Sequence, residues 1–305
     1  MEQTAVTSDP VISARDLVKR FGDLEVVKGI DLTVGRAQCV GLLGPNGAGK
    51  STTMRMIMGL AQVSGGKLEV FGEPVQKMSR ETKARIGLVP QESNVDPDIT
   101  VVENLEVYGR YYALPAAVIA ERVPKLLEFM QLTEKSNARV HALSGGMKRR
   151  LIIARALIAD PELVIFDEPT TGLDPQARVM IWKHMLDLKK QGRTLLLTTH
   201  YMDEAQRLCD YIVIIDEGKV LDEGTPQALI DRHVKGHVIE VQKPHAPPGG
   251  PDWDHEDIGD AVLYFVETTA SFISELADDA VYLHRQANLE DVFLRLTGRK
   301  LRQGG

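Results

Sequence analysis

The chain has 305 residues, of which 43% are hydrophobic, a net charge of −7 and two cysteines. This length accommodates one large domain with a small one, and the hydrophobic fraction argues against global disorder. The acidic balance lacks the overall positive field that holds a nucleic-acid backbone, and two cysteines far apart in the sequence favour neither a disulfide framework nor a zinc site.

Short β-like runs separated by turn residues fill residues 11–42. They predict an antiparallel ribbon that feeds a strand ending at a glycine-rich loop, and the helical spacing that follows predicts a helix directly after the loop. Further along, two apolar strands flank an amphipathic helix in a βαβ unit, and a hairpin follows. These segments lie at 163–167, 176–190, 193–200 and 211–224, with the hairpin turn at Glu217 and Gly218.

Residues 99–157 are expected to be mainly helical, with Pro115 and Pro124 beginning, ending or kinking helices. Four residues at helical spacing form an apolar face that we interpret as the core of a subdomain. This face comprises Val101, Leu105, Tyr108 and Tyr112. Tyr111 remains as a candidate contact for a partner.

The composition changes near residue 236, and four prolines and two glycines crowd residues 244–251. Such a segment fits neither a helix interior nor a central strand, so a loop is predicted over 244–260. Strand-like and helix-like runs around it predict a small α+β domain. They lie at 237–242, 261–267, 270–277, 280–286 and the terminal run NLEDVFLRLTG.

Residues 44–51 read GPNGAGKS and match the pattern G-x-x-x-x-G-K-[ST] without departure. Glycines in such a loop let backbone N–H groups converge on phosphate oxygens, and the following helix adds the positive end of its dipole. The lysine can reach the β- and γ-phosphates, and the serine hydroxyl can ligate Mg²⁺. The expected nucleotide-binding residues are Gly44, Pro45, Asn46, Gly47, Ala48, Gly49, Lys50 and Ser51.

An apolar strand that ends in Asp167 and Glu168 supplies the acidic groups that this loop lacks. Asp167 is expected to join the Mg²⁺ shell, and Glu168 to orient or deprotonate the attacking water. Two adjacent carboxylates at a strand end are otherwise solvated turn residues, so the phosphate loop is what favours the functional interpretation.

His200 ends the next predicted strand, where its N–H can donate to a γ-phosphate or steady the water. By itself it would more often be a structural histidine. Gln91 follows a predicted strand of its own and can reach metal or water, although a lone glutamine carries no evidence.

Together these residues resemble the ATP-binding cassette of ABC transporters over about residues 11–235, with every motif in order. The resemblance implies an α/β P-loop NTPase with a mixed core sheet, an antiparallel β subdomain and a helical signature subdomain, followed by a small α+β appendage. The implied domains are 1–235, with the helical subdomain at about 92–157, and 236–305. The resemblance implies that Phe21 stacks on adenine, that the phosphate loop extends to Thr52 in binding the nucleotide, and that Asp174 contacts the nucleotide. The implied catalytic residues are Glu168, His200 and Gln91. The implied metal ligands are Ser51, Gln91 and Asp167.

In that family two cassettes pair head to tail, and the signature of one copy caps the γ-phosphate held by the other. The resemblance therefore implies that Ser144, Gly145 and Gly146 meet the ATP held by Lys50 of a second copy, with Mg²⁺ present. The alternative is that this segment only caps and turns a helix, which would leave the second glycine unexplained. Met147 replaces the usual glutamine and cannot donate a hydrogen bond, and Phe21 replaces the more frequent tyrosine but can still stack on adenine.

A narrower resemblance rests on LSGGMKRRL, DEPTTGLDPQAR, TTHYMDEAQRLCD and NLEDVFLRLTGR. These segments are similar to the ATPases of type-2 ABC exporters, most closely to the nodulation-factor export subgroup. The resemblance implies an ATP-hydrolysing motor subunit that binds two MgATP between two copies and drives a separate membrane permease through about residues 92–114. It does not fix the transported substrate or the role of 236–305.

No secretory signal is evident at the N-terminus, and no apolar run approaches the ~20 residues that span a bilayer. We therefore expect a peripheral protein at the cytoplasmic face of the inner membrane, without a nucleic-acid partner. The alternative is a non-transport ABC ATPase acting on nucleic acid or the ribosome. Proteins that act on DNA usually carry a long coiled-coil or zinc insertion, which is absent from 51–143, and ribosome-associated ones typically have two cassettes in one chain. A metabolic kinase could share the phosphate loop, but it would have no need for Ser144, Gly145 and Gly146 on a distant element.

Overall fold

A computed structural model describes residues 9–234, 236–247, 253–277 and 279–298. The chain divides into two compact units, residues 1–222 and 223–305. The sequence-based boundary at 235/236 stays a prediction. Of the predicted loop over 244–260, residues 248–252 lie outside the described part. Among the helices described, none combines the length and apolar character that crossing a bilayer requires.

The first unit contains two sheets within its described residues, and its elements follow the predicted order. The strands are β1 (Ile12–Phe21), β2 (Leu24–Val34), β3 (Cys39–Leu43), β4 (Gly65–Val70), β5 (Glu73–Pro74), β6 (Ile86–Val89), β7 (Leu163–Asp167), β8 (Thr194–Thr199), β9 (Tyr211–Asp216) and β10 (Lys219–Gly224). The helices are α1 (Lys50–Ile57), α2 (Arg80–Ala84), α3 (Val101–Tyr111), α4 (Ala116–Phe129), α5 (Gly145–Leu157), α6 (Pro175–Lys190) and α7 (Met202–Leu208).

The antiparallel sheet has the strand order β2-β1-β4-β5, and the central sheet has the order β10-β9-β3-β8-β7-β6. In the central sheet β9, β3, β8, β7 and β6 are parallel neighbours. β3 and β8 are buried throughout, as parallel strands covered on both faces must be. Apolar residues of the antiparallel sheet, of α1 and of the central sheet form one continuous core. The predicted mixed α/β fold with an antiparallel subdomain is therefore confirmed.

The helical subdomain comprises α3, α4 and α5. A capping box of Thr100 and Glu103 starts α3. Pro115 is the residue before α4, whereas Pro124 lies inside that helix. Of the predicted apolar face, Val101 and Leu105 are buried, and Tyr108 and Tyr112 are half-buried. Tyr111 is 79% exposed.

The second unit is α+β. Its elements are α8 (Pro226–His233), β11 (His237–Gln242), β12 (Asp254–Asp257), β13 (Ala261–Val266), α9 (Thr269–Ile273), β14 (Tyr282–Gln286) and α10 (Leu289–Thr297). The strands form a sheet of order β12-β13-β11-β14. The predicted loop over 244–260 is wrong at 254–257, because β12 pairs with β13 as an edge strand. Its charged sequence, DHED, gives no hydrophobic signal for a strand, and β12 forms through its antiparallel pairing with β13, which follows it in the chain.

The two cysteines, although distant in the sequence, come together in the first unit. Cys39 begins β3 and Cys209 follows α7, and their sulfur atoms are 3.9 Å apart. Both are buried free thiols. The contact with Cys39, together with burial, raises the pKa of Cys209 well above its ordinary value.

Candidate nucleotide site

The glycine-rich loop follows β3 directly, and α1 begins at Lys50. Gly47 and Gly49 have φ angles of 86° and 103°, which side chains rarely adopt. A Cβ atom at Gly44 would lie 2.0 Å from the carbonyl oxygen of Ile215 in β9. The packing of β9 therefore requires glycine where the loop leaves the sheet.

Lys50 is buried at the base of this loop. Its Nζ donates to the carbonyl oxygens of Gly44 at 2.8 Å and Pro45 at 3.0 Å, and lies 3.8 Å from Glu168 Oε1. Burial lowers the pKa of Lys50, while the nearby carboxylates of Glu168 and Asp167 oppose that shift. A buried ammonium group facing an open cleft is placed to meet an anion.

A cleft of about 350 Å³ lies above the loop and is lined by loop residues, Val26, Gln91 and Glu168. Asp167, at the carboxyl end of β7, enters the same region. Its Oδ1 accepts hydrogen bonds from Thr198 Oγ1 at 2.6 Å and Ser51 Oγ at 3.2 Å. A hydroxyl and a carboxylate oxygen held this close are the hard ligands that Mg²⁺ prefers, so these residues fit the expected metal.

Glu168 is buried and contacts the other predicted hydrolytic residues. Gln91 Nε2 donates to its Oε2 at 3.1 Å, and His200 Nδ1 lies 3.3 Å from its Oε1. The interaction with His200 lowers the pKa of Glu168, and Lys50 and Thr171 contribute in the same direction. The carboxyl group is therefore ionised at neutral pH and able to accept a proton.

The backbone of Glu168 is left-handed, with φ at 44°. For a residue with a side chain this conformation costs on the order of 1 to 3 kcal/mol. Its N–H donates to both the carbonyl oxygen and Oγ1 of Thr198, each at 3.1 Å. Strand β8 thus holds the strained residue in place.

Three predicted contributors lie on other surfaces. Ser144 precedes α5, accepts a hydrogen bond from the Met147 N–H at 3.3 Å, and is exposed. Asp174 caps α6 and accepts from the Ala177 N–H at 2.9 Å. Phe21, at the end of β1, is 55% exposed, with the Lys19 ammonium 4.6 Å from its ring centre.

The second glycine of the signature has an explanation within this chain. A Cβ atom at Gly146 would lie 2.8 Å from that of Ala177, whereas one at Gly145 would meet only Leu173 at 3.9 Å. Gly146 therefore lets α5 approach α6 closely, and the sequence argument that only a phosphate explains this glycine is weakened. Gly145 remains the more open of the two.

Thr198 is a residue that sequence reasoning missed. It is fully buried and binds both Asp167 and the main chain of Glu168. The available signal was the pair Thr198 and Thr199 after the apolar run LLL, directly before His200.

Comparisons with known proteins fit this geometry. A family model described as "ABC transporter" matches residues 27–171, and one described as "Nodulation factor export protein NodI, C-terminal domain" matches 253–298. "Nod factor export ATP-binding protein I" of Cupriavidus pinatubonensis is 48% identical, covering 96% of this chain and 92% of the relative. Its counterpart in Cupriavidus metallidurans is 48% identical, covering 96% of this chain and 99% of the relative. The chain belongs to this family of ABC transporter ATP-binding proteins.

Solved structures agree with the family assignment. An ATP-binding subunit of an ABC transporter is similar with a TM-score of 0.66 and 30% identity, over 73% of this chain and 92% of that one. The cbiO1 protein of Clostridium perfringens, part of the cbiONQ ABC transporter complex, is similar with a TM-score of 0.69 and 28% identity. The similarity covers 73% of this chain and 92% of that one. As an ABC transporter ATP-binding protein, the chain binds ATP and is an ATPase.

We predict that Thr198→Val lowers kcat by about tenfold or more, because Asp167 and Glu168 lose the hydroxyl that orients them. Thr194→Val is the matched control, since this buried threonine lies at the opposite end of β8 and its hydroxyl accepts a hydrogen bond from the Ala37 N–H, away from Asp167 and Glu168. Steady-state ATPase assays on both variants, with melting curves, check the expectation. Equal losses of kcat would contradict it.

Proposed function

We propose that this chain is the motor subunit of an ABC exporter, in which two copies bind two MgATP between them and drive a separate membrane permease. The observation that supports this proposal most strongly is the exposed Ser144–Gly145 segment at the start of α5, outside the cleft that holds Lys50. Helix starts of this kind favour anions, and a second copy supplies the anion as its bound ATP.

Within each copy, the phosphate loop binds the nucleotide and Lys50 neutralises its terminal phosphates. Glu168 accepts a proton from the attacking water, while Gln91 and His200 orient that water and the carboxylate. Ser51 and Asp167, with the Gln91 amide, would hold Mg²⁺, which supplies charge neutralisation of the phosphates. Phe21 supplies a face for adenine and Asp174 a contact across the dimer.

The names of the relatives support export rather than nucleic-acid chemistry. Both are Nod factor export ATP-binding proteins, and the similarity to this chain spans nearly the whole length of each. Two ATP bound between copies give the differential affinity that any driven conformational change requires. The permease contact is placed around residues 92–114, which include the exposed Tyr111. The chain would then act as a peripheral subunit at the cytoplasmic face of the inner membrane.

Glu168→Gln is expected to bind ATP, to lose at least about 100-fold in turnover and to accumulate as an ATP-dependent dimer, because the amide cannot accept the proton. Light scattering after gel filtration, with and without MgATP, measures the dimer. Glu162→Gln is the control, since Glu162 is exposed before β7 and pairs with Arg36 and Arg85. Unchanged turnover in Glu168→Gln would refute the assigned role.

Ser144→Arg is expected to abolish hydrolysis while nucleotide binding to monomers stays intact, because the large cation blocks approach of the second copy. Asn137→Arg, in an exposed loop of the same subdomain, should behave as the wild type. ATPase rates over a range of protein concentrations check the model, and the wild-type rate should rise more than linearly. Equal activity of Ser144→Arg and wild type would mean that this segment is only a helix cap.

Affinity capture of tagged Glu168→Gln from detergent-solubilised native membranes tests the partner. With MgATP we expect a stoichiometric polytopic membrane protein, because locking the cassettes stabilises the assembly. Tyr111→Glu, placed on the proposed contact surface, should lose this protein while still dimerising. Recovery of only soluble proteins or nucleic acid would refute the transport role. It would not contradict the ATP-bound dimer of two copies.

A further inference from the structure

Arg149 is a buried arginine on α5, five residues after Ser144 and only 6% exposed. Its Nε donates to the carbonyl oxygen of Pro169 at 2.6 Å, and its Nη2 to that of Asp167 at 3.2 Å. Its Nη1 donates to the carbonyl of Pro90 and lies 3.4 Å from that of Gln91. Each hydrogen bond described for this guanidinium thus goes to a main-chain carbonyl.

These carbonyls belong to two segments of the hydrolytic site, residues 90–91 and 167–169. Pro90 and Gln91 follow β6, Asp167 ends β7, and Pro169 follows Glu168. The planar guanidinium, with five donors in a fixed fork, can bind carbonyls of both segments at once, which the single ammonium of a lysine cannot do in the same geometry. Burial lowers the pKa of Arg149 to about 10, while Glu204 and Asp167 oppose the shift, so the group stays charged at neutral pH.

The turn after Glu168 is also held from a second side. Glu204 on α7 is fully buried and accepts hydrogen bonds from Thr170 Oγ1 at 2.8 Å and from Trp182 Nε1 at 2.9 Å. Arg149 and Glu204 therefore form hydrogen bonds to adjacent residues, Pro169 and Thr170. Since Glu168 itself is left-handed, its position depends on neighbours that fix this turn.

The same helix also holds the loop after Gln91 at a second point. Arg155, near the end of α5, is buried and donates to the carbonyl oxygen of Asn94 at 2.6 Å, and its guanidinium lies 4.1 Å from the ring centre of Tyr108. Two arginines of α5 thus connect the helix to the segment from Gln91 to Asn94.

We propose that Arg149 is a positioning residue that couples the signature helix to the hydrolytic groups, by fixing the main chain of Gln91, Asp167 and the turn after Glu168. The proposal rests on the roles given to Glu168 and to the second copy under the proposed function. When α5 shifts as a second copy closes on Ser144, the guanidinium carries that shift to the residues that orient water and hold the metal.

Arg150 is a matched control within the same helix. It is also buried, and its Nη1 donates to the carbonyl oxygens of Met130 at 2.7 Å and Gln131 at 3.1 Å, at the end of α4. Its contacts stabilise the helical subdomain and do not touch the hydrolytic site. Loss of either arginine removes a donor from main-chain carbonyls, four for Arg149 and two for Arg150, so both variants carry a structural cost.

The first experiment compares Arg149→Met, Arg149→Lys and Arg150→Met in the full chain, with kcat, KM for ATP, ATP affinity and melting temperature measured on each. Arg149→Met should lose about 10- to 100-fold in kcat with ATP affinity unchanged, because hydrolytic groups are misplaced and the phosphate loop is not. Arg149→Lys should recover part of kcat, and Arg150→Met should melt earlier with near wild-type kcat. Equal losses of kcat in Arg149→Met and Arg150→Met would overturn the proposal. Should Arg149→Met fail to fold, Arg149→Lys decides, because a lysine variant with unchanged kcat also overturns it.

The second experiment is a double-mutant cycle with Glu168→Gln, read as residual single-turnover hydrolysis. If Arg149 acts by positioning Glu168, Arg149→Met should cost much less in the Glu168→Gln background than in the wild type. Fully additive losses would overturn the proposal. A wild-type rate in Glu168→Gln alone would instead refute the base assignment in the proposed function, so the two failures are distinguishable.

Discussion

Parallel pairing in the central sheet is the constraint on which the site depends. β3, β8, β7 and β6 run side by side in the same direction, so their carboxyl ends meet at one edge. The phosphate loop, His200, Asp167 and Gln91 follow these four ends in turn. Segments separated by more than a hundred residues in the sequence therefore meet at this edge, as in other open α/β sheets that bind ligands there.

The charges at this edge balance one another. Lys50 and Glu168 are both largely buried and lie 3.8 Å apart, so neither stands as an isolated charge in the protein interior. Removing one member of such a group leaves an uncompensated buried charge and is costly. In the proposed function, a phosphate that approaches Lys50 competes with the Glu168 carboxylate for the ammonium group.

Much of this site was predictable because its motifs are local. The phosphate loop requires glycines at set positions, and strand ends such as Asp167 follow from apolar runs of fixed length. Contacts between distant residues were not predictable in the same way. Nothing near Arg149 in the sequence indicates that its guanidinium binds carbonyls of two segments, and Gly146 faces Ala177 only because α5 and α6 happen to cross there.

The second unit shows the same limit. Apolar strands such as 237–242 were recognisable from composition, whereas β12 was not, because an edge strand of charged residues gives no hydrophobic signal and exists through its pairing with β13. Helix α10 begins with a capping box of Asn288 and Asp291, and buried Asp291 also binds Arg285 at 2.6 Å and 2.7 Å. Sequence reasoning found that helix but not the ion pair that anchors it.

The burial of Cys39 and Cys209 has a practical consequence for labelling. Thiol reagents attack the exposed thiolate, and both native sulfur atoms are shielded within the first unit, with that of Cys209 further disfavoured from ionising. These are the only cysteines of the chain. A cysteine introduced on the surface would thus be the one readily modified group, so fluorophores or spin labels can be attached without first replacing the native pair. Distances between two labelled copies could then follow their association in real time.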